Sequence, residues 1–409
     1  MTKASGTFRD WWQYPRKYGI DPGHRQVSFL ELFYDLVYVV VIAELGHTLS
    51  KHISLQGFLE FAFLFVMVWW AWFNGSAYHD FHGNNDIRTR VFTFLQMGTV
   101  VSMAVFAHNA LDEGAQGFFL SYAAFHLILT YLWWRTGVHD PDHRQASNPY
   151  SFIFLVVTIL FVISAFVEEP INQYLWFSAI ILGMGLPVFL VPTMRRMRAE
   201  IERTQLISNA GVERFGLFTI IVLGEVIVGV VQGVAEVENL DINVGITAVL
   251  GLLIAIGIWW LYFDLVSNRL PIENLGKAYS WIYLHLPLSM SITAIGAVML
   301  NIVEDSDEKL APGVVWLLSC AVVTILFTII LLIQVIQVPA IYKTLYRAMS
   351  LPILFSITGI GISGFLIGQS VDPIAFLLTI VFFLMLPILY ALRLWIRVIR
   401  TGQTISLQN

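Results

Sequence analysis

Charged residues are scarce in this chain. Asp, Glu, Lys and Arg make up 12% of the 409 residues, whereas hydrophobic residues make up 57%. Only one cysteine occurs, Cys320, which excludes a disulfide framework and a zinc site built from several cysteines. A water-soluble globule does not have so apolar a composition, which is typical of a polytopic membrane protein. The lipid bilayer is therefore the expected environment.

Motifs of common catalytic sites are also absent. The chain has no Walker-type phosphate loop, no Gly-x-Ser-x-Gly elbow and no His-Glu-x-x-His helix. Nothing in the sequence indicates nucleic-acid binding. These absences give no support to ATP hydrolysis or ordinary hydrolysis. They predict a protein that is not an enzyme and that carries no cofactor.

Long apolar runs divide the chain into twelve predicted membrane-spanning helices. Each run has about 18–24 residues, enough to cross a hydrocarbon core of roughly 30 Å as a helix. Turn-forming residues such as Glu168-Glu169-Pro170 fall between the runs. The predicted spans are 27–47, 57–78, 90–110, 116–138, 150–167, 173–193, 211–233, 243–265, 280–301, 313–335, 350–369 and 373–395.

The positive charges lie on one side of these spans. Of the 23 Lys and Arg residues, all except Lys51 and Lys309 fall in the tail, in the even-numbered connections or the span ends that border them, or at the C-terminal end. The positive-inside rule then predicts that both termini are cytoplasmic. The first residues have no apolar core of signal-peptide type. Trp11, Trp12 and Tyr14 leave two interpretations open: a segment at the cytoplasmic membrane surface, or an ordered tail packed on the loops.

The two halves of the sequence share a pattern in which an acid is followed, at the same distance, by an aromatic cluster. When Asp35 is aligned with Glu225, Trp69 to Asn74 aligns without a gap on Trp259 to Asp264. Six spans return the chain to its starting side, so the halves are parallel repeats. The predicted fold is an all-α polytopic membrane protein with twelve transmembrane helices in two parallel six-helix repeats. The predicted parts are the tail 1–26, the first repeat 27–194, a basic linker 195–210, the second repeat 211–400 and the tail 401–409.

Acidic residues inside the spans are the main functional candidates. A charge at a helix centre costs roughly 2.5–3.5 kcal/mol, so a span that keeps one invites a functional explanation. If Arg25 and Arg214 mark the cytoplasmic headgroups, then Asp35 and Glu225 lie roughly 15–17 Å deeper. Both acids are predicted to face a shared cavity between the halves. Two carboxylates in a low-dielectric cleft would share a proton near neutral pH.

Glu31 and several other polar residues could complete this site. Ser28-x-x-Glu31 also matches a capping box, so Glu31 has a purely structural alternative. Gln96 and His285 lie near equivalent positions of the two halves, and an intramembrane His either relays protons or simply bonds a neighbouring helix. Further candidates, each with a capping, hydrogen-bonding or interfacial alternative, are His126, Glu44, Asn74 and Asp264.

The aromatic clusters also have two interpretations. Interfacial belts explain many tryptophans of membrane proteins. The recurrence of the clusters at the same distance after each acid instead favours walls beside the acids, which would exclude water from them. The residues concerned are Trp69, Trp70, Trp259 and Trp260.

His and Asp residues are concentrated in two predicted cytoplasmic loops of the first half. These are His79 to His82 and His139 to His143, and such residues can bind a metal. The matching loops of the second half have no His. The sequence therefore predicts no metal site.

Two segments carry a family resemblance. SFLELFYDLVYVVVIAELGH, which begins at Ser28, and GVERFGLFTIIVLGEVIVGVV, which begins at Gly211, resemble the hallmark segments of the bacterial low temperature requirement A family. The resemblance extends over nearly the whole chain. It implies a multi-pass protein of a bacterial cell membrane, named for a cold-growth phenotype, and it implies no biochemical activity.

A second similarity concerns the start of each repeat. Arg25-x-x-x-Phe29 and Arg214-x-x-x-Phe218 are similar to the Arg-x-x-x-Phe-Ser-Asp signature of the endolysosomal potassium/proton channel family. The serine is absent here, and the spacing from arginine to aspartate differs.

These patterns predict a secondary transporter that couples an unknown small solute to protons or monovalent cations. A cation or proton channel is the alternative, and an intramembrane enzyme is a further one. The sequence leaves a homo-oligomer open.

Overall fold

The computed structural model describes residues 11–17, 25–193, 207–238, 240–366 and 371–400. Most of the predicted linker 195–210 and the tail 401–409 lie outside these ranges, as do residues 1–10 and 18–24. Within the described ranges the chain forms twelve long α-helices. They are α1 (Phe29–Lys51), α2 (Leu55–His82), α3 (Ile87–Phe106), α4 (Ala115–His139), α5 (Arg144–Ser164), α6 (Ile171–Phe189), α7 (Asn209–Glu236), α8 (Ile242–Leu265), α9 (Leu275–Glu304), α10 (Pro312–Ile333), α11 (Lys343–Leu366) and α12 (Pro373–Arg400).

The predicted helical membrane fold is confirmed. In the described part of the chain, the eleven helices α2 to α12 are long and apolar enough to cross a membrane. The other long helix, α1, contains Glu31, Asp35 and Glu44 and ends at Lys51. Its role as a twelfth span stays a prediction.

Local sequence signals explain where several helices begin. Asp86 accepts a hydrogen bond from the Thr89 amide at the start of α3, and Asp241 caps α8 in the same way. At α1, Ser28 and Glu31 form the predicted capping box: the Ser28 amide donates to Glu31, and the Glu31 amide donates to the Ser28 hydroxyl. Each cap satisfies amide groups that the first helical turn leaves without partners.

The chain divides into two compact units. The first comprises Met1–Thr48 and Glu60–Arg214. In it, α3 packs on α4, α4 on α5 and α5 on α6. The second part of α2 contacts α6, since Phe63 lies against Trp176 with ring centroids 6.3 Å apart. Stacked aromatic rings fill this core, for example Phe119 on Trp176 at 4.1 Å.

The second unit comprises Leu49–Leu59 and Phe215–Asn409. In it, α9 packs on α10, α10 on α11, α11 on α12, and α12 returns to α8. Helices α7 and α9 approach closely at two glycines, because a Cβ atom added to Gly229 would lie 2.1 Å from the Gly296 carbonyl oxygen. Such an approach requires glycine at both positions. The arrangement of the two repeats stays a prediction.

Candidate functional site

Asp35 is the centre of a buried ion pair in the first unit. Its side chain is 0% exposed, and the Arg214 guanidinium, 2% exposed, donates to both of its oxygens. The Nε–Oδ2 distance is 3.2 Å. The Trp72 indole donates a third hydrogen bond, 2.8 Å long, to Oδ1. Bidentate binding by arginine, reinforced by a further donor, gives both carboxylate oxygens hydrogen-bond partners and places a cation beside the acid.

Arg214 lies between two acids of α1. Its Nη1 atom is 3.6 Å from Glu31 Oε1, one helical turn from Asp35. Glu31 also forms an ion pair with Arg25 and remains in its capping box with Ser28. The capping interpretation of Glu31 is confirmed, and the same carboxylate also binds arginine. Its part in a transport site stays a prediction.

The ion pairs continue from Arg25 to the end of α2. Arg25 Nη1 lies 3.1 Å from Asp80 Oδ1, and the Ser208 amide donates to Asp80 Oδ2 at 3.4 Å. Acids and bases alternate along this series. We call it the ion-pair ladder, and its members are Asp80, Arg25, Glu31, Arg214 and Asp35.

The burial of Arg214 corrects one expectation. The sequence predicts Arg214 at the headgroups, where a guanidinium stays in water, and the depth of the acids is counted from that position. The structure buries it, and the cost of taking this charge out of water is offset by Asp35 and Glu31. The guanidinium also lies over the Tyr34 ring, 5.6 Å from its centroid. Arg214 is therefore an internal partner of the acids, which sequence spacing alone did not reveal.

The aromatic clusters differ between the two halves. In the first, Trp69 and Trp70 are buried, but the direct partner of the acid is Trp72, three residues beyond Trp69 on α2. In the second, Trp259 is 45% exposed and the Trp260 indole donates to Asp264 at 2.8 Å. The role of Trp259 and Trp260 as cavity walls stays a prediction.

Glu225 lies in the middle of α7, in the second unit. Its side chain is 8% exposed. Among the residues that the structure describes, none forms an ion pair or a hydrogen bond with its carboxylate. Asp35 and Glu225 thus have different surroundings within their own units. That these two acids face a shared cavity stays a prediction.

The other candidates of the second unit and of α4 are buried in hydrogen-bonded surroundings. The His285 ring bonds the Tyr262 hydroxyl at 3.0 Å and the Trp281 carbonyl at 2.7 Å. His126 Nδ1 donates to the Tyr122 carbonyl, 3.1 Å away. Both imidazoles therefore have a local structural role, and proton relay by either stays a prediction.

Three more candidates lie on α1, α2 and α3. Gln96 is fully buried on α3, and the Asn74 amide donates to the Trp70 carbonyl, one turn back on α2. Glu44 is half-buried near the end of α1. Asn74 therefore bonds its own helix rather than capping its end.

The His and Asp residues at the end of α2 lie in the helix, which corrects the prediction that His79 to His82 form a cytoplasmic loop. Helix α2 continues to His82, beyond the predicted end at 78, so His79 and Asp80 are helical and buried. The rings of His82 and His143 lie 4.8 Å apart, and the His82 Nδ1 donates to the Arg16 carbonyl at 2.8 Å. In the part of the chain that the structure describes, no three His, Cys, Asp or Glu residues are arranged to hold a metal ion.

Residues 11–17 pack on the ends of these helices. The Arg16 amide donates to the His82 carbonyl at 3.1 Å, and the Arg16 side chain donates to the Phe81 carbonyl. The Tyr14 ring contacts His139, with centroids 4.4 Å apart. Of the two interpretations of this segment, the structure favours the one in which it packs on the protein, although the Trp11 side chain remains exposed.

The long apolar helices, with ionised residues buried among them, define a polytopic α-helical membrane protein. The chain belongs to the bacterial low temperature requirement A protein family, which it matches over residues 26–399. The resemblance of the two hallmark segments is thereby confirmed. The chain is similar to an uncharacterised protein of Rhizobium meliloti (strain 1021), with 28% identity over 298 residues, covering 66% of this chain and 68% of the relative. No solved structure matches the chain.

Proposed function

We propose that the protein is a secondary transporter of the bacterial cell membrane in which Glu225 binds and releases a proton or a monovalent cation. The observation that carries this proposal is the difference between the two acids. Asp35 is neutralised by Arg214, whereas the buried Glu225 has no cation beside it among the described residues. A carboxylate without a cationic neighbour, such as Glu225, is available to a transported cation, whereas Asp35 is already occupied by Arg214.

The chemistry of a buried acid supports this assignment. Ionised groups inside a membrane are costly, and a carboxylate in low dielectric without a cation lowers that cost by binding a proton. A gradient of protons, or of a cation that replaces the proton, would therefore change the occupancy of Glu225. Such a change is what coupled transport requires at the midplane of the membrane.

The ion-pair ladder supplies an element with alternative pairings. Arg214 contacts Glu31 and Asp35, and Arg25 contacts the same oxygen of Glu31. Ion-pair sets that have two arrangements are a common basis of conformational switching. In this proposal Asp35 and Arg214 form a fixed clamp, and Glu31 exchanges its arginine partners during the transport cycle.

The neighbour order of the helices supports the repeat, and with it twelve spans and cytoplasmic termini. The order α3–α4–α5–α6 in one unit corresponds to α9–α10–α11–α12 in the other. The contact of α2 with α6 corresponds to that of α8 with α12. If α1 is the equivalent of α7 in the other repeat, each half has six helices. An even number of spans in each half agrees with the distribution of Lys and Arg residues.

A channel is the second candidate, and the ion-pair ladder is the observation that favours it. The ladder is a continuous polar file within the first unit, from Asp80 at the end of α2 to Asp35 in α1. A file of charged groups can guide ions. The channel predicts large single-channel currents, whereas the carrier predicts saturable counterflow driven by a gradient.

The test uses proteoliposomes that contain a pH-sensitive dye and are subjected to imposed proton, Na⁺ or K⁺ gradients. We expect gradient-driven proton movement for the wild type and its loss in Glu225→Gln. The matched control is Glu213→Gln, an exposed acid of the same helix, which should keep wild-type flux. Flux that persists in Glu225→Gln would remove this residue from the mechanism. The proposal would be refuted if wild-type vesicles moved neither protons nor cations under any of the three gradients.

A further inference from the structure

Two arginines are buried at neighbouring ends of α3 and α4. Arg88 is 2% exposed and Arg135 is 7% exposed. The Nη1 atom of each is inaccessible to solvent and makes no hydrogen bond to any described residue. A buried guanidinium donor without an acceptor is unfavourable, so each arginine has an unused capacity to bind an anion.

Gln13 is linked to both arginines, directly to Arg135 and through Asp86 to Arg88. The Gln13 amide donates to Asp86 Oδ2 at 2.9 Å, and Arg88 Nε lies 3.8 Å from that same oxygen. The Gln13 carbonyl accepts a hydrogen bond of 3.4 Å from Arg135 Nη2. One residue of the segment 11–17 thus connects the two arginines.

The packing of α3 against α4 supports the same placement. Phe92 of α3 stacks on Tyr131 of α4, with ring centroids 5.0 Å apart. Because α3 and α4 are consecutive helices that run in opposite directions, one turn from this contact brings Arg88 opposite Arg135. The two arginines therefore lie across one helix–helix groove.

The charges in this groove do not balance. Asp86 is the acid beside Arg88, and its oxygens also accept hydrogen bonds from the Thr89 amide, the Thr89 hydroxyl and the Gln13 amide. Among the described residues, Asp86 is the one acid within ion-pair distance of either arginine, so two positive charges share one carboxylate. Two guanidinium groups with free donors match the geometry and charge of a phosphate group.

We propose that Arg88 and Arg135 bind a phosphate group, carried either by an anionic lipid headgroup or by free phosphate. Basic sites between helices near a membrane surface are known to hold lipid headgroups. Beside Arg135, Trp134 is 55% exposed, and it would face the acyl chains of such a lipid. The Gln13 carbonyl occupies one donor of Arg135 now, so the phosphate replaces this long hydrogen bond.

The proposal is independent of transport and is tested by binding. The purified protein in detergent is titrated with phosphatidylglycerol, with inorganic phosphate and with phosphatidylcholine, and thermal unfolding is recorded at each concentration. A ligand that binds the folded protein raises the melting temperature in a saturable way. We expect saturation with phosphatidylglycerol, with inorganic phosphate, or with both, and no saturable shift with phosphatidylcholine. A lipid-only response identifies the headgroup, and a response to inorganic phosphate identifies free phosphate as a ligand.

The variants are Arg135→Gln and Arg88→Gln, and the matched control is Arg90→Gln, an exposed arginine of α3. Each of the first two should weaken the apparent affinity at least tenfold, whereas Arg90→Gln should not change it. Native mass spectrometry of bound phosphatidylglycerol gives a second measurement. If Arg88→Gln does not fold, Arg135→Gln decides the matter, because the described contact it loses is a single long hydrogen bond. No saturable shift in the wild type, or equal weakening in Arg90→Gln, would overturn the proposal.

Discussion

Arg214 binds both carboxylate oxygens of Asp35 although 179 positions separate the two residues in the chain. Removing one partner of a buried ion pair leaves the other charge uncompensated, which costs roughly 3–5 kcal/mol. We expect Asp35→Asn and Arg214→Gln to lower the free energy of unfolding by about this amount. Denaturant unfolding in detergent measures it.

The double variant supplies the control for this prediction. Asp35→Asn combined with Arg214→Gln removes both charges, so it should lose less stability than the sum of the single variants. Additive losses would show that the two side chains contribute independently and would contradict the pairing.

Trp72 should contribute through its hydrogen bond to Asp35. Trp72→Phe keeps an aromatic ring but removes the indole donor, and a hydrogen bond to a charged group is worth about 1.5–3 kcal/mol. We expect a loss of unfolding free energy in this range. Trp134→Phe, at an exposed position of α4, is the control and should have little effect. Equal effects of the two substitutions would assign the loss to ring volume rather than to the hydrogen bond.

The contact of α7 with α9 gives a prediction about packing. A methyl group added at Gly229 would overlap the Gly296 carbonyl, whereas one added at Gly224, on the same helix, meets no atom within 4 Å. Gly229→Ala should therefore separate the helices and destabilise the protein by about 1–3 kcal/mol. Gly224→Ala should be neutral or slightly stabilising, because alanine favours helices. Melting temperatures of the two variants, measured side by side, check the close approach.

The stability of the folded protein should depend on pH through His143, which lies outside the membrane-spanning segments. It lies between α4 and α5, and burial lowers the pKa of its side chain from about 6.5 to about 4. The folded protein then binds fewer protons there than the unfolded chain does, so stability falls as the pH falls from about 6.5 toward 4. The full loss is roughly 3 kcal/mol.

His143→Gln should reduce this acid sensitivity, because its side chain does not titrate. The control His108→Gln, at an exposed position, should retain the wild-type slope of melting temperature against pH. An unchanged slope in His143→Gln would contradict the assignment.

Local patterns allowed much of the fold to be predicted. The apolar runs gave twelve helices because a membrane requires each span to satisfy its own backbone, and the Ser28–Glu31 capping box is confirmed because it involves neighbours in sequence. Helix α2 was predicted too short at its end. Hydropathy detects the lipid-embedded part of a helix, whereas polar turns that continue it to His82 carry no hydropathic signal.

The partners within the site were harder to predict. Position 72 lies in the aromatic cluster that recurs in both halves at the same distance after the acid. The sequence could not distinguish its indole from those of Trp69 and Trp70, because the direction of each side chain depends on how α2 is rotated about its axis. Arg214 was assigned to the headgroups because sequence depth is counted along one helix. Its actual surroundings depend on its contact with Asp35, a residue distant in the chain, and that is a tertiary property.

The distance along the chain between Asp35 and Arg214 has a consequence for biosynthesis. At about 5–20 residues per second, about 10–35 s pass between the synthesis of the acid and that of its partner. During this interval α1 carries Asp35 without the guanidinium that neutralises it, and its insertion into lipid is correspondingly unfavourable. Nascent chains that end before Arg214 should therefore hold α1 weakly in the membrane, and α1 would insert stably only after Arg214 has been made.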